Sequence, residues 1–121
     1  MLAAVFLFSG VTKALWPAEA VAEFSALGLL APEVLVVGVV LFQLATGTML
    51  LLGVWVIPAA LALAGFTALA TLVGHPFWQG DTATVLRQTT IALEHLGLVG
   101  GLLALVVLHS MERQRHANPQ Q

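Results

Sequence analysis

The chain has 121 residues, of which 60% are hydrophobic and only 8% are charged. A water-soluble domain needs about a quarter of its residues charged, so this composition excludes a soluble protein and predicts a single integral membrane domain over residues 1–121, with the lipid bilayer as its partner. The net charge of −2 gives no indication of nucleic acid as a partner, and the absence of cysteine excludes disulfides, thiolate nucleophiles and cysteine-ligated metals.

The first apolar run covers about residues 2–16 and ends at Pro17. No positive region precedes it, which favours a membrane span over the alternative of a cleaved signal peptide. A helix of this length reaches about 22 Å, against a hydrocarbon core of about 30 Å. Either the bilayer thins around it while Lys13 extends toward the surface, or the true start lies upstream.

A weaker helix is predicted at about residues 18–29. Glu19 and Glu23 are four residues apart on one side, and Val21, Phe24 and Leu27 lie on the other. This pattern is typical of an amphipathic helix that lies in the membrane interface. A re-entrant segment is the alternative.

Three further spans are predicted at about residues 34–57, 58–75 and 88–109. Pro58 begins the third span, at a position where proline is tolerated, and the short uncharged turn before it indicates an antiparallel hairpin. Phe77 and Trp78 are predicted to anchor the interface, and residues 79–87 to form a polar loop. The fold class is therefore all-α: a four-transmembrane-helix bundle with a short interfacial helix between spans one and two.

Residues 111–121 form a polar tail, predicted to be disordered beyond Arg115. Four spans place both termini on one side of the membrane. Because the tail carries Arg113 and Arg115, the positive-inside rule places both termini in the cytoplasm.

Polar side chains inside apolar runs are costly in lipid and mark candidate sites. Those in this chain fall at similar depth in the outer half of the predicted bundle, which indicates one shared ligand pocket formed by Glu94, His95, Gln43, Lys13 and His75. Simpler roles remain open: Gln43 as an interhelical hydrogen bond, Lys13 as an interfacial anchor, and His75 as a helix cap. Thr67 and Thr71 recur with His75 on one stripe.

No catalytic residue and no metal site are predicted. The ligand types of His75, His95 and Glu94 suit a metal, but their spacing matches no recognised motif. No nucleophile lies beside a base. The small residues of span four (Gly97, Gly100 and Gly101) and Gly47 of span two favour close helix packing, within the chain or in a homo-oligomer.

Several stretches together resemble the DoxX family of small bacterial inner-membrane proteins. They are Phe8-Ser-Gly-Val-Thr-Lys13, Phe24 to Gly28, Gln43 with Gly47, Ala70-Thr71 through His75-Pro-Phe-Trp78, and Leu93-Glu-His-Leu-Gly-Leu-Val-Gly-Gly-Leu102. The resemblance implies a four-helix bundle of the bacterial inner membrane. It also implies a relation to the small membrane subunit of a thiosulfate:quinone oxidoreductase.

Two positions depart from the family pattern. Many members carry glutamate where Gln43 stands, and many carry Lys-Asn where Glu94 and His95 stand. In this chain the intramembrane carboxylic acid is therefore Glu94 in span four, whereas in many family members it lies in span two.

The combined expectation is a membrane component of a redox system, non-catalytic or weakly catalytic, that holds a quinone near Gln43, Glu94 and His95 and works with a redox protein partner. A scaffold or assembly protein is the first alternative. A small-solute permease is the second, although the chain has no inverted repeat and no broken helix.

Overall fold

The computed structural model describes residues 1–75 and 80–119, and every element in that part of the chain is an α-helix. The helices are α1 (Leu2–Leu15), α2 (Pro17–Ala26), α3 (Pro32–Leu52), α4 (Val56–Gly74) and α5 (Thr82–Ala117). The prediction of an all-α chain is confirmed. The aromatic anchor predicted at Phe77 and Trp78 lies outside the described residues.

Three of the helices are long and apolar enough to cross a membrane. These are α3 with 21 residues, α4 with 19 and α5 with 36. Helix α1 is also apolar but has only 14 residues, which reach about 21 Å. The chain is thus a multi-pass membrane protein, while the count of four spans and the interfacial position of α2 stay predictions.

Helix α5 is longer than the span predicted from the sequence. The predicted polar loop is helical from Thr82 onward, because the Asp81 side chain accepts a hydrogen bond from the Thr84 backbone N–H at 3.1 Å and caps the helix. The tail predicted to be disordered beyond Arg115 is helical as far as Ala117. Basic side chains in that last turn suit the negative end of the helix dipole.

Backbone conformation sets the other helix ends. Gly53 has a φ of +69°, which ends α3 at Leu52 instead of the predicted residue 57. The predicted start at residue 34 is also moved, because Pro32 is itself the first residue of α3. Helix α4 begins at Val56, so Pro58 lies within its first turn.

The helices form two compact units, Met1–Val54 and Trp55–Gln121. In the first unit α1 packs along α3, and α2 contacts both. In the second unit α4 packs along α5. The side chains of Leu63 on α4 and Leu102 on α5 are fully buried.

Candidate functional site

The first unit contains a polar group that we call the lysine cluster: Ser9, Lys13 and Gln43. The Lys13 ammonium donates a hydrogen bond to Ser9 Oγ at 2.7 Å, one helical turn away on α1. Ser9 Oγ in turn donates to Gln43 Oε1 of α3 at 3.3 Å. Gln43 is only 4% exposed. Two of the predicted pocket residues, Lys13 and Gln43, are thus joined through a serine that the sequence analysis did not single out.

Glycines explain why α1 and α3 approach closely enough for this contact. A Cβ atom added at Gly47 would lie 3.0 Å from the side chain of Leu7, and one added at Gly10 would lie 3.0 Å from Leu44. Gly47 therefore lies at a close helix contact. Gly10 was missed, although it directly follows Ser9 in the same short motif.

The second unit contains the histidine cluster: Thr71 of α4, His75 just after α4, and Gln88 and His95 of α5. His95 Nδ1 lies 2.8 Å from Thr71 Oγ1, and His75 Nδ1 lies 2.9 Å from Gln88 Oε1. The two imidazole rings contact each other edge to face, with centroids 5.3 Å apart and an angle of 64° between the ring planes. Two predicted pocket residues, His75 and His95, are therefore brought together.

The hydrogen bonds of Thr71 determine the tautomer of neutral His95. Thr71 Oγ1 donates its single hydrogen to the Thr67 carbonyl oxygen at 2.7 Å. It can then only accept a hydrogen bond from His95. Nδ1 of His95 must accordingly carry the proton, and in the neutral ring Nε2 carries a lone pair.

The same reasoning applies to His75. Gln88 Oε1 is a carbonyl oxygen and only accepts hydrogen bonds, so His75 Nδ1 is the donor. Within residues 1–75 and 80–119, neither Nε2 atom makes a hydrogen bond. Both rings are half-buried. The histidine cluster thus presents two imidazole nitrogens for a ligand.

Gln88 was not predicted as a site residue, and it is the first residue of the fourth predicted span, 88–109. The signal that could have found it is its spacing from His95, seven residues further on, because two turns of a helix return to the same face. Thr71 is predicted to share one helix face with His75. Its hydrogen bond to His95 on α5 is not predicted from the sequence.

Glu94 does not join the histidine cluster. Adjacent positions of a helix point about 100° apart, and Glu94 is exposed on α5 while its neighbour His95 is half-buried toward α4. Among the described residues Glu94 makes no salt bridge or hydrogen bond. A Cβ atom added at Gly97 or Gly100 would meet no described atom of the same unit within 4 Å, so the packing role of those two glycines stays a prediction.

The described residues contain no group of three or more histidine, cysteine or acidic side chains placed to hold a metal ion. The imidazole rings of the histidine cluster can form hydrogen bonds and accept protons. At the start of α5, outside the membrane span, hydrogen bonds from the Thr84 side chain and backbone hold the pKa of Asp81 below its usual range.

Comparison with known proteins finds one family. The family model for DoxX matches residues 1–76. No curated protein matches the chain, and no solved structure does. The matched stretch contains α1 to α4 with Lys13, Gln43 and His75, and it ends before α5 with Glu94 and His95.

Proposed function

The chain belongs to the DoxX family, and from that premise we propose that it is the membrane component of a quinone-linked redox system whose histidine cluster holds the quinone headgroup. The observation that carries the proposal is the contact between the His75 and His95 rings, each of which also forms a hydrogen bond, His75 to Gln88 and His95 to Thr71. Intramembrane ionisable residues are functional candidates by default because of their cost in lipid.

The position of the histidine cluster suits a ligand with a polar head and an apolar tail. His95 lies near the start of the apolar run from Ile91 to Leu108, and His75 directly follows α4. A headgroup at this depth would lie close to one membrane surface, where protons exchange with water. Its isoprenoid tail would remain in the hydrocarbon.

The chemistry of the side chains also fits the headgroup. The reduced headgroup, a quinol, presents two hydroxyl groups that can donate hydrogen bonds, and the cluster offers two imidazole Nε2 atoms with no hydrogen bond to any residue that the structure describes. When bound, the quinone would supply the redox chemistry, since the chain has no cysteine. His75 and His95 would orient the headgroup and exchange its protons, and a redox protein partner would carry the electrons.

The lysine cluster of the first unit is a second candidate ligand group. Lys13 donates a hydrogen bond to Ser9, and an ammonium has three N–H donors. Its remaining donors suit a carbonyl oxygen or an anionic headgroup. This supports a ligand role for Lys13 beside its hydrogen bond within the first unit.

The test is native mass spectrometry of the protein released from its own membranes in mild detergent, with organic extraction of the same sample. We expect a bound quinone that is lost in His95→Phe and reduced in Glu94→Gln. His109→Phe is the matched control, because His109 lies on the same helix away from the histidine cluster. Phospholipid alone, unchanged in all variants, would contradict the proposal and favour the scaffold alternative.

A further inference from the structure

We propose that the histidine cluster is an acceptor site for hydroxyl groups, and that it binds the reduced, hydroquinone form of a lipophilic ligand in preference to the oxidised form. This inference rests on the proposed function and names the chemical state of its ligand. The same chemistry extends to other lipophilic phenols.

The first step is the direction of the two internal hydrogen bonds. Thr71 donates to Thr67 and must accept from His95, and Gln88 accepts from His75 through its carbonyl oxygen. Both neutral rings therefore carry their proton on Nδ1. Such partners on the far ring nitrogen are what set a histidine tautomer in proteins.

The second step is what this leaves for a ligand. Each Nε2 atom is a hydrogen-bond acceptor, and the rings are close neighbours, with centroids 5.3 Å apart. A hydroquinone O–H group donates to such a nitrogen. A quinone carbonyl has lone pairs only, so it would face the lone pair of the imidazole without a hydrogen between them.

The third step is the size of the difference in affinity between the quinol and the quinone. A ligand with an O–H group can donate a hydrogen bond to an imidazole Nε2 atom, and an analogue that lacks the O–H group cannot form this bond. One hydrogen bond of ordinary net strength corresponds to about tenfold in affinity. The lysine cluster has the opposite polarity, since the ammonium of Lys13 only donates.

The binding experiment uses the full chain in lipid nanodiscs under anaerobic conditions. Decylubiquinone and its reduced form, decylubiquinol, are titrated separately by calorimetry, with protein-free nanodiscs subtracted. We expect the quinol to bind about tenfold more tightly than the quinone.

Thr71→Val tests the origin of the preference, because valine keeps the shape of the side chain and removes the oxygen that accepts from His95. We expect the preference for quinol to fall to within about twofold. The matched control is Thr90→Val on α5, where the hydroxyl bonds only to the backbone oxygen of Leu86 among described residues, and there the preference should be unchanged.

The tautomers have a readout that needs no ligand. Nitrogen-15 NMR of histidine-labelled protein in the same nanodiscs distinguishes a proton on Nδ1 from one on Nε2, with His75→Phe and His95→Phe assigning the signals. We expect Nδ1 protonation for both neutral rings. Nε2 protonation of either ring would overturn the inference even if Thr71→Val failed to fold.

The outcomes separate this inference from the proposed function. Equal binding of quinone and quinol, or tighter binding of quinone, would overturn the hydroxyl-acceptor site and leave quinone binding in place. Absence of binding by either form would overturn both.

Discussion

Gln43 is the buried polar residue that joins α1 to α3. Its Oε1 accepts the hydrogen bond of Ser9, which in turn accepts from Lys13. Every buried side-chain nitrogen or oxygen among the described residues has a hydrogen-bond partner. The lysine cluster is thus a chain of hydrogen bonds, and removing one member leaves another without a partner.

Gln43→Leu should destabilise the protein by about 1 kcal/mol, because Ser9 loses its acceptor inside a low-dielectric environment. The measurement is thermal unfolding in detergent. Ser9→Ala in the same background should cost less than it does alone, since the pair shares one interaction. Thr46→Val is the control: Thr46 is buried on α3 but bonds its own helix at Phe42, and we expect a smaller effect. Equal costs for Gln43→Leu and Thr46→Val would contradict the interhelical role.

Asp81 gives the protein a pH-dependent helix start. Hydrogen bonds from the Thr84 side chain and backbone keep the pKa of Asp81 below its unfolded value. The capping stabilisation is therefore fully present above the ordinary carboxyl range and is lost as the pH falls through the lowered pKa.

We expect the first turn of α5 to fray below about pH 4. Amide hydrogen exchange at Thr84 and Val85, compared across pH with intrinsic rates divided out, measures it. Asp81→Asn keeps a capping side chain without the titration, so its exchange should not depend on pH in this range. Identical profiles in the two proteins would refute the assignment.

At the scale of the helix, close contact between α1 and α3 depends on small residues. Gly47 is buried, and a Cβ there would lie 3.0 Å from two atoms of Leu7. Gly47→Ala should therefore cost about 1 kcal/mol through overpacking. Gly38→Ala on the same helix meets nothing within 4 Å and should be neutral or stabilising, because alanine favours helix. Thermal unfolding of both variants distinguishes them, and equal shifts would argue against close packing at Gly47.

The start of α3 carries backbone strain. Ala31, its N-cap residue, has a φ of +50°, in the left-handed region that favours glycine. Ala31→Gly should stabilise the protein by about 1 kcal/mol. The same substitution at Ala45, inside α3, should destabilise by a similar amount through lost helix propensity. The melting temperatures should thus shift in opposite directions, and a decrease for Ala31→Gly would show that the conformation is not strained.

At the scale of the whole molecule, the number of spans depends on the 14-residue helix α1. If α1 crosses the bilayer, four spans place both termini on one side of the membrane, and the positive-inside rule favours the cytoplasmic side. If α1 lies in the interface, three spans separate the termini.

Cysteine labelling tests this arrangement, because the chain has no cysteine of its own. We expect Leu2→Cys and Asn118→Cys to be protected from an impermeant maleimide in intact cells, and Thr82→Cys to be labelled. Labelling of Leu2→Cys together with protection of Asn118→Cys would reduce the count to three spans. Labelling of Asn118→Cys with protection of Thr82→Cys would reverse the orientation.

The sequence by itself determined the class of the protein. So few charged residues cannot cover a water-exposed surface, so the apolar runs identified a membrane protein and the long helices α3, α4 and α5. Its motifs identified the DoxX family, confirmed over residues 1–76. The sequence also makes His75, His95, Gln43 and Lys13 candidate site residues, because a polar side chain in an apolar run is costly in lipid.

Only the tertiary structure decided which polar groups meet. Nothing in the sequence marks the partners of the predicted site residues. Helix packing places Ser9 beside Gln43, Gln88 beside His75, and the Thr71 hydroxyl beside His95, each within 3.3 Å. Glu94, the sequence neighbour of His95, is exposed, and its place in the ligand pocket stays a prediction. Hydrophobicity is a property of each side chain that composition records, whereas a hydrogen bond depends on the distance and direction between two helices, which no single stretch of sequence contains.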